Sequence, residues 1–457
     1  MQRRDMLRAL AALTLPGSLA ACGGGGSSQP APAPAGPQIT GFAGDKTEYG
    51  IGDKPVVTAT FSGGAGRIEP GAIAVASGAA VTLPALTGNA TFKLVVSGGG
   101  QEITRELALK AAYRGSFKPV PMAFARGGHE AVCLASGRVL IIGGQGSGGV
   151  NYEVMAFDPA TETFSAAGGL LTGRSAHTAT VLKDGTVLVV GGDRTVMNSP
   201  SAERYDPATG ASRATAGQPL VNRSYHSATL LDDGRVLLAG GLTAGANSAS
   251  DTADLYDPAT DSFTRLLFPL QVTRLRHTAM QVSPRLLVLY GGMTVDGKLA
   301  LPEVLDIEAQ SSSLMNSPLE TVPRSGANLV KRAGADYVVI GGENGRTAEP
   351  LANIVNVGIG GVSVQAGGTL RTARSLHASA TLADGRVLVA GGVGYVGGAP
   401  LASTEIYSAQ QAATVAGPAL QIARQMHTAT ALPNGKVLIV GGFGPDRQAL
   451  ATAELYS

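Results

Sequence analysis

The sequence predicts an all-β protein, a closed ring of seven four-stranded blades preceded by a small β-sandwich, and three observations carry this. Gly-Gly pairs recur at Gly143-Gly144, Gly191-Gly192, Gly240-Gly241, Gly291-Gly292, Gly341-Gly342, Gly391-Gly392 and Gly441-Gly442. The intervals are 48, 49, 51, 50, 50 and 50 residues, so one supersecondary unit is laid down seven times. Each pair follows an apolar run with almost no alternation, such as Val187-Leu188-Val189-Val190 or Val437-Leu438-Ile439-Val440, the mark of a strand covered on both faces. Composition agrees: 64 Gly, 25 Pro and no Trp in 457 residues suit short strands joined by tight turns. A repeat of this length with strand-like content matches a propeller blade.

The second copy shows the elements in order. Arg174-Ser175-Ala176-His177 leads into a first strand, Thr178 to Leu182; Lys183-Asp184-Gly185 follows; a second strand then runs into Gly191-Gly192. Asp-Gly between two β-branched runs predicts a hairpin with a type I′ turn, whose two central residues need positive φ. The corner recurs as Ser136-Gly137, Asp233-Gly234, Asp384-Gly385 and Asn434-Gly435, while Ser283-Pro284 and Gly334-Ala335 depart. After Gly-Gly comes a variable segment, then a third strand ending in Tyr205-Asp206-Pro207, Phe157-Asp158-Pro159 or Tyr256-Asp257-Pro258, where aspartate and proline set a turn. A short fourth strand is marked by Phe164 and Phe263. The strands are named a, b, c and d in chain order.

The seventh copy reaches only its strand c, at Ala453-Glu454-Leu455-Tyr456. Phe117 precedes Arg126 by 9 residues, against 10 from Phe164 to Arg174 and 11 from Phe263 to Arg274. The segment around Phe117 is therefore expected to supply the missing strand d and close the ring without an exposed edge.

These residues together, the Arg-x-x-His opening strand a, the Gly-Gly ending strand b and the aromatic-Asp-Pro ending strand c, resemble the kelch repeat in its bacterial, galactose-oxidase-like form. The resemblance covers residues 113–457 and implies a seven-bladed kelch-type β-propeller; it fixes function weakly, since propellers host unrelated activities. The oxidase family it resembles holds copper with two tyrosines and two histidines, one tyrosine being cross-linked to a cysteine, and carries a further ligand on a separate C-terminal domain. Here Tyr225-His226 is an adjacent pair, but His226 is a repeat histidine, Cys133 has no assignable tyrosine partner, and that further domain is not expected. No metal or other cofactor is expected.

Residues 1–21 read as a signal peptide: Arg3, Arg4 and Arg8 precede an apolar stretch too short to span a bilayer. Leu19-Ala20-Ala21-Cys22 resembles a bacterial lipobox, which implies cleavage before Cys22 and its acylation. The arginine pair suits either twin-arginine or general export. Gly23 is not the aspartate that retains such lipoproteins in an inner membrane, so the outer membrane is implied. Residues 22–37, Gly/Ser-rich and then Pro/Ala-rich, form a linker. Residues 38–112 contain several short β-rich runs, Pro55 to Phe61, Ala90 to Val96 and Ile103 to Leu109, and suggest an immunoglobulin-like sandwich without a disulfide, acting as a spacer.

A formal net charge of +2 with no basic cluster beyond the first ten residues argues against nucleic acid. With Cys22 acylated, Cys133 stands alone, a buried and inert thiol. All six histidines, His129, His177, His226, His277, His377 and His427, occupy one repeat position, with Ala327 in the fifth copy. Catalytic or metal sets need unlike residues converging on one point, so these are expected to be structural. Arg126, Arg174, Arg223, Arg274, Arg324, Arg374 and Arg424 fill another column, and an acid two residues before the strand-c aromatic position, Glu203, Asp254, Glu303, Glu405 or Glu454, is the expected partner in five copies. Met155 and Asn353 depart.

The a-to-b and c-to-d turns look structural, whereas the b-to-c segments are individual. Arg194, Asp296, Lys298, Glu343, Arg346, Tyr395, Asp446 and Arg447 on them are the candidate ligand-binding residues. The expected function is that of a monomeric cell-envelope lipoprotein binding carbohydrate or an envelope protein through the face of the b-to-c and d-to-a loops. The alternatives are a galactose-oxidase-like or sugar-isomerase-like enzyme and a purely structural envelope protein. An enzyme should gather unlike polar residues in one sector of the channel mouth; none is legible in the sequence.

Overall fold

The computed structural model describes residues 36–50, 53–86, 89–112, 115–194, 201–243, 248–315, 324–331, 337–345, 347–349, 351–358, 361–395 and 397–457. The signal segment, Cys22 and Arg346 lie outside the described residues. All regular structure among the described residues is β, with no helix.

The chain divides into two compact units. The first draws on Lys54–Ala85, Ala90–Leu109 and the described residues up to Thr47. It holds one sheet of Gln38–Gly44, Val56–Ser62 and Ala80–Thr82, and a second in which Gln101–Ala112, Ala90–Gly98, Ala65–Glu69 and Ile73–Val75 are neighbours in that order. Alternate residues turn inward: Val57, Ala59 and Phe61 are buried while Thr58 and Thr60 are exposed, the period of two of a half-covered sheet.

The second unit contains seven four-stranded antiparallel meanders. In the second, the strands are Thr178–Val181, Val187–Val190, Ala202–Asp206 and Ala211–Ala214. Each strand a lies beside the next sheet's strand a, from Glu130–Cys133 through to Thr428–Ala431, which returns to Glu130–Cys133. The ring is closed by Phe117–Pro121, which pairs as the outermost strand of the seventh sheet with Thr452–Tyr456, setting Phe117 opposite Tyr456 with ring centroids 5.2 Å apart.

Strand b lacks a polar face because its two faces enter two different cores. In the first sheet, Val139 and Ile141 pack with Leu438, Val440 and Leu455 of the seventh, while Leu140 and Ile142 pack with Val187, Val189 and Tyr205 of the second. Burying each such side chain is worth roughly 1.5–3 kcal/mol, so the sheets are held mainly by faces sandwiched between neighbours.

The a-to-b corner differs from the type I′ turn expected. Gly185 alone takes positive φ, +85°, while Asp184 does not. Gly185 N–H donates to Leu182 O at 2.9 Å and Leu182 N–H to Thr186 O at 2.8 Å, which makes a three-residue loop, a type I turn closed by a glycine bulge. The reason is the aspartate: its Oδ1 accepts the Thr186 N–H at 3.0 Å, a bond that holds Asp184 in the ordinary turn conformation and leaves the left-handed position to glycine.

Candidate functional site: the sheet joints and the axial mouth

The seven repeat arginines are buried at the joints between sheets. Each sends Nη1 to the carbonyl of the first glycine of its own Gly-Gly pair, at 2.7–3.0 Å: Arg126 to Gly143, Arg174 to Gly191, Arg223 to Gly240, Arg274 to Gly291, Arg324 to Gly341, Arg374 to Gly391 and Arg424 to Gly441. In five sheets Nη2 also meets a carboxylate: Arg174 with Glu203, Arg223 with Asp254 (2.7 Å), Arg274 with Glu303 (2.6 Å), Arg374 with Glu405 (2.8 Å) and Arg424 with Glu454 (2.7 Å). The glutamates also accept a backbone N–H from the d-to-a segment, as Glu203 does from Leu171 at 2.7 Å, so one carboxylate fixes both a guanidinium and a loop. Arg126 has three carbonyls instead, those of Ile141, Gly143 and Glu153, and burial lowers its pKa to about 10.

The second glycine reaches the next sheet. Its N–H donates to the carbonyl of the following arginine, Gly144 to Arg174 (2.9 Å), Gly192 to Arg223 (2.8 Å) and so on round to Gly442, which donates to Arg126 at 2.8 Å. A Cβ on Gly191 would lie 2.0 Å from Arg223 O and 2.9 Å from the His226 ring, and Gly191 sits at φ +70°. The pair is therefore the hinge plate between sheets as well as the end of strand b.

The histidines fill the same joints. His226 Nε2 bonds the Thr178 hydroxyl (2.9 Å), His277 the Ser227 hydroxyl (2.9 Å) and His129 the Thr428 hydroxyl (3.0 Å), each on the preceding sheet. Burial first, and a neighbouring arginine second, hold every imidazole pKa below its usual value, to about 3 for His177 and His377. These are neutral packing groups spread around the ring. A galactose-oxidase-like copper set does not fit them: His226 is engaged with Thr178, the Cys133 thiol is half-buried with Sγ directed to Leu134 O at 3.6 Å, and among the described residues no group of three or more His, Cys, Asp or Glu side chains is placed to hold a metal ion.

Between the fixed arginine and histidine lies a column that varies: Gly128, Ala176, Tyr225, Arg276, Gly326, Leu376 and Met426. All seven take left-handed backbone, φ +52° to +63°. The conformation lets six of the seven N–H groups reach the carbonyl of the counterpart in the preceding sheet: Ala176 to Gly128, Tyr225 to Ala176, Arg276 to Tyr225, Gly326 to Arg276, Met426 to Leu376 and Gly128 to Met426, at 2.9–3.1 Å. This belt of backbone runs around the axis, with one link missing between Gly326 and Leu376, on the side of the b-to-c and d-to-a connections. Glycine fits such a position at least cost, yet five sheets place side chains there. Arg276 stacks over the Tyr225 ring at 4.9 Å and approaches Glu343 Oε1 at 3.9 Å, and Ser375 Oγ donates to Glu343 Oε2 at 3.4 Å. One sector of the mouth thus gathers unlike polar groups, contrary to the sequence expectation. The signal is present as the more variable of the two columns between arginine and histidine, but a motif written Arg-x-x-His hides it in the x.

Inside the belt is an axial cavity of about 390 Å³, rimmed by Tyr225, Leu376 and Met426, with Glu130, Asn328 and Ser379 on its wall. Glu130 occupies the position after the histidine, where other copies have Thr178, Ser227, Thr278, Asn328, Ala378 and Thr428.

Of the loop candidates, Asp296 and Lys298 are brought together at 3.1 Å within their own turn, where Asp296 also accepts the Thr294 hydroxyl. Glu343 is buried rather than displayed on a loop, drawn under the mouth by Ser375 and Arg276. Asp446 accepts the Gln448 N–H at 2.9 Å, and the Arg447 N–H donates to Gly444 O at 2.9 Å, which makes both turn-forming residues. Tyr395 is 60% exposed. Arg194 lies on a short strand against Arg174-Ser175, its backbone tying a b-to-c segment to a d-to-a segment.

The two faces of the ring differ. The large hydrophobic side chains exposed among the described residues are Phe124, Tyr152, Leu171, Leu220, Leu267, Val295, Leu301, Leu314 and Tyr395, and every one lies on a b-to-c or d-to-a connection or at the end of a strand d that enters one. The opposite face carries ion pairs at its turns, such as Arg235–Asp233, Arg285–Asp306, Arg386–Asp384 and Glu162 with Lys118 and Lys436.

No protein-family model and no curated protein matches the sequence. Among solved structures the chain is similar to a fungal alcohol oxidase described as having catalytic diversity among the AA5 family, in complex with copper, with TM-score 0.64 and 16% identity over 75% of this chain and 76% of that one. The likeness shows the fold, a galactose-oxidase-like β-propeller.

Proposed function

We propose that the protein is an exported, lipid-anchored binding or scaffold module of the cell envelope, taking carbohydrate or protein on the face of the b-to-c and d-to-a connections. The sidedness of the exposed apolar side chains is the observation that carries this reading: aromatic and aliphatic groups lie on the face of the variable connections, and the other face is stitched by short-range ion pairs. In this reading the immunoglobulin-like unit is the spacer and Cys22 the anchor. A carbohydrate-active enzyme is the second reading, favoured by the Tyr225–Arg276–Glu343 sector.

A glycan-array and envelope pull-down screen on a soluble form starting near Pro37 tests the binding face. Tyr152→Ser combined with Tyr395→Ser should weaken capture roughly ten-fold or more, whereas Asp233→Ala on the other face should leave it unchanged. Capture insensitive to the first pair overturns the assignment of the face. Cys22→Ser should release the protein from membranes; unchanged fractionation and mass would end the anchoring reading.

A further inference from the structure

We propose that the axial cavity is a binding site for a small organic cation, a protonated primary amine carried on a polar body the size of an amino sugar, with Glu130 as its counter-ion. This deepens the binding reading above and rests on it.

The argument begins with a broken symmetry. In the second, third and seventh sheets the residue after the histidine, Thr178, Ser227 or Thr428, is a hydroxyl that bonds the histidine Nε2 of the following sheet. Glutamate in the first sheet is too long for that short bridge. Glu130 makes no side-chain hydrogen bond or ion pair among the described residues and lines the cavity instead, while both nitrogens of His177, the following histidine, are buried without a partner. The contact is likewise missing at His377 and His427, which follow Asn328 and Ala378, but only the first sheet puts an ionisable group at this position, on the cavity wall.

The surroundings leave that carboxyl without a cation. No lysine or arginine among the described residues lines the cavity. Arg126 is held by carbonyls, Arg174, Arg374 and Arg424 by carbonyls and carboxylates, and Arg276 at the mouth is engaged by Tyr225 and Glu343. The titratable groups packed around Glu130 are His129 on its own strand, His177 and His427 at the starts of the flanking strands, and His377 and Tyr225 across the cavity. The four histidines are kept neutral by burial. Glu130 is half-buried, and desolvation by the surrounding protein raises its pKa to about 8. An ammonium group entering the cavity would supply the missing charge, convert the acid to carboxylate and find the Tyr225 ring at the rim. Ser379 Oγ, buried in the same wall without a partner, is a further group for a polar ligand to satisfy. The volume, about 390 Å³, lies at the lower end of small-molecule sites.

Titration calorimetry with glucosamine, N-acetylglucosamine and glucose, run at pH 6.5, where the amine is already protonated and Glu130 still holds its proton, in two buffers of different ionisation enthalpy, tests the site. Glucosamine should bind roughly ten-fold or more tightly than the two neutral sugars, and its binding should release a proton as Glu130 ionises. Glu130→Gln should abolish both the preference and the proton release. Glu130→Thr, which installs the residue of three other copies, should do the same with an unchanged or raised melting temperature. Equal binding of the three sugars, a preference that survives either variant, or no binding of glucosamine overturns the cation site. If that happens while the loop face still captures a glycan or envelope protein, the cation site alone falls; if nothing is captured by either route, the binding reading falls with it.

Discussion

The first and second sheets place an arginine in the same buried joint with different company. Arg174 has Gly191 O and the Glu203 carboxylate; Arg126 has three carbonyls, and Met155 stands where the acid would be. The backbone around the two is the same, down to the glycine N–H that donates to the neighbouring arginine's carbonyl. The joint is therefore built on the guanidinium–carbonyl contact, and the carboxylate compensates the buried charge where it is present. The mouth column makes the converse case, since one repeated backbone belt carries glycine, alanine, tyrosine, arginine, leucine and methionine.

The feature common to both joints, a buried neutral histidine, has the largest expected effect. The folded-state pKa of all six is depressed, so below an unfolded value of about 6.5 the unfolded chain binds more protons than the folded one. Stability should be complete above about pH 6.5 and fall as pH drops towards the folded values, about 3 for His177 and His377. The limb should be steep, approaching about 1.4 kcal/mol per pH unit for each histidine. Urea unfolding followed from pH 7 to pH 4 checks it, and His377→Gln should flatten the limb by about one proton.

Next in size is Glu203→Ala, which strands Arg174 in a fully buried site and should cost about 3–5 kcal/mol. The reverse change, Met155→Glu, gives Arg126 the partner that five other sheets have and should add about 1–3 kcal/mol. Denaturant midpoints of the pair settle the comparison: if Glu203→Ala is tolerated and Met155→Glu gains nothing, the carboxylate is incidental to the joint. The smallest effect is expected at the mouth. Arg276→Gly removes a side chain from left-handed backbone, φ +54°, and should leave stability within about 1 kcal/mol of the parent while removing the charge over Tyr225. A loss comparable to that of Glu203→Ala would mean that the mouth residues are architectural after all.

Much of the ring is legible because a repeat states its own period. The Gly-Gly spacing sets the number of units, the unbroken apolar runs identify strand b, and the distance from Phe117 to Arg126 locates the closing strand, which pairs with Thr452–Tyr456. What escapes are relations between copies. Nothing local to Gly191-Gly192 says that its second N–H serves Arg223 of the next sheet, since that contact exists only once two units are side by side. Aligning copies on their shared residues also discards the residues they do not share. Tyr225, Arg276 and Glu130 escape for this reason, while Asp446 and Arg447, prominent as loop charges, serve their own turn.

The closing strand Phe117–Pro121 is made early in synthesis and its partner Thr452–Tyr456 more than three hundred residues later. Throughout that interval it is an unpaired β-segment, the kind of template on which chains aggregate. Its sequence, Phe117-Lys118-Pro119-Val120-Pro121, answers that hazard. Two of five residues lack an N–H to offer a wrong partner, and a lysine charges the edge, yet an outermost strand needs bonds on one side only and accepts the right partner when it arrives. The residues that complete the ring are thus also those that keep a nascent chain solitary until its far end has emerged.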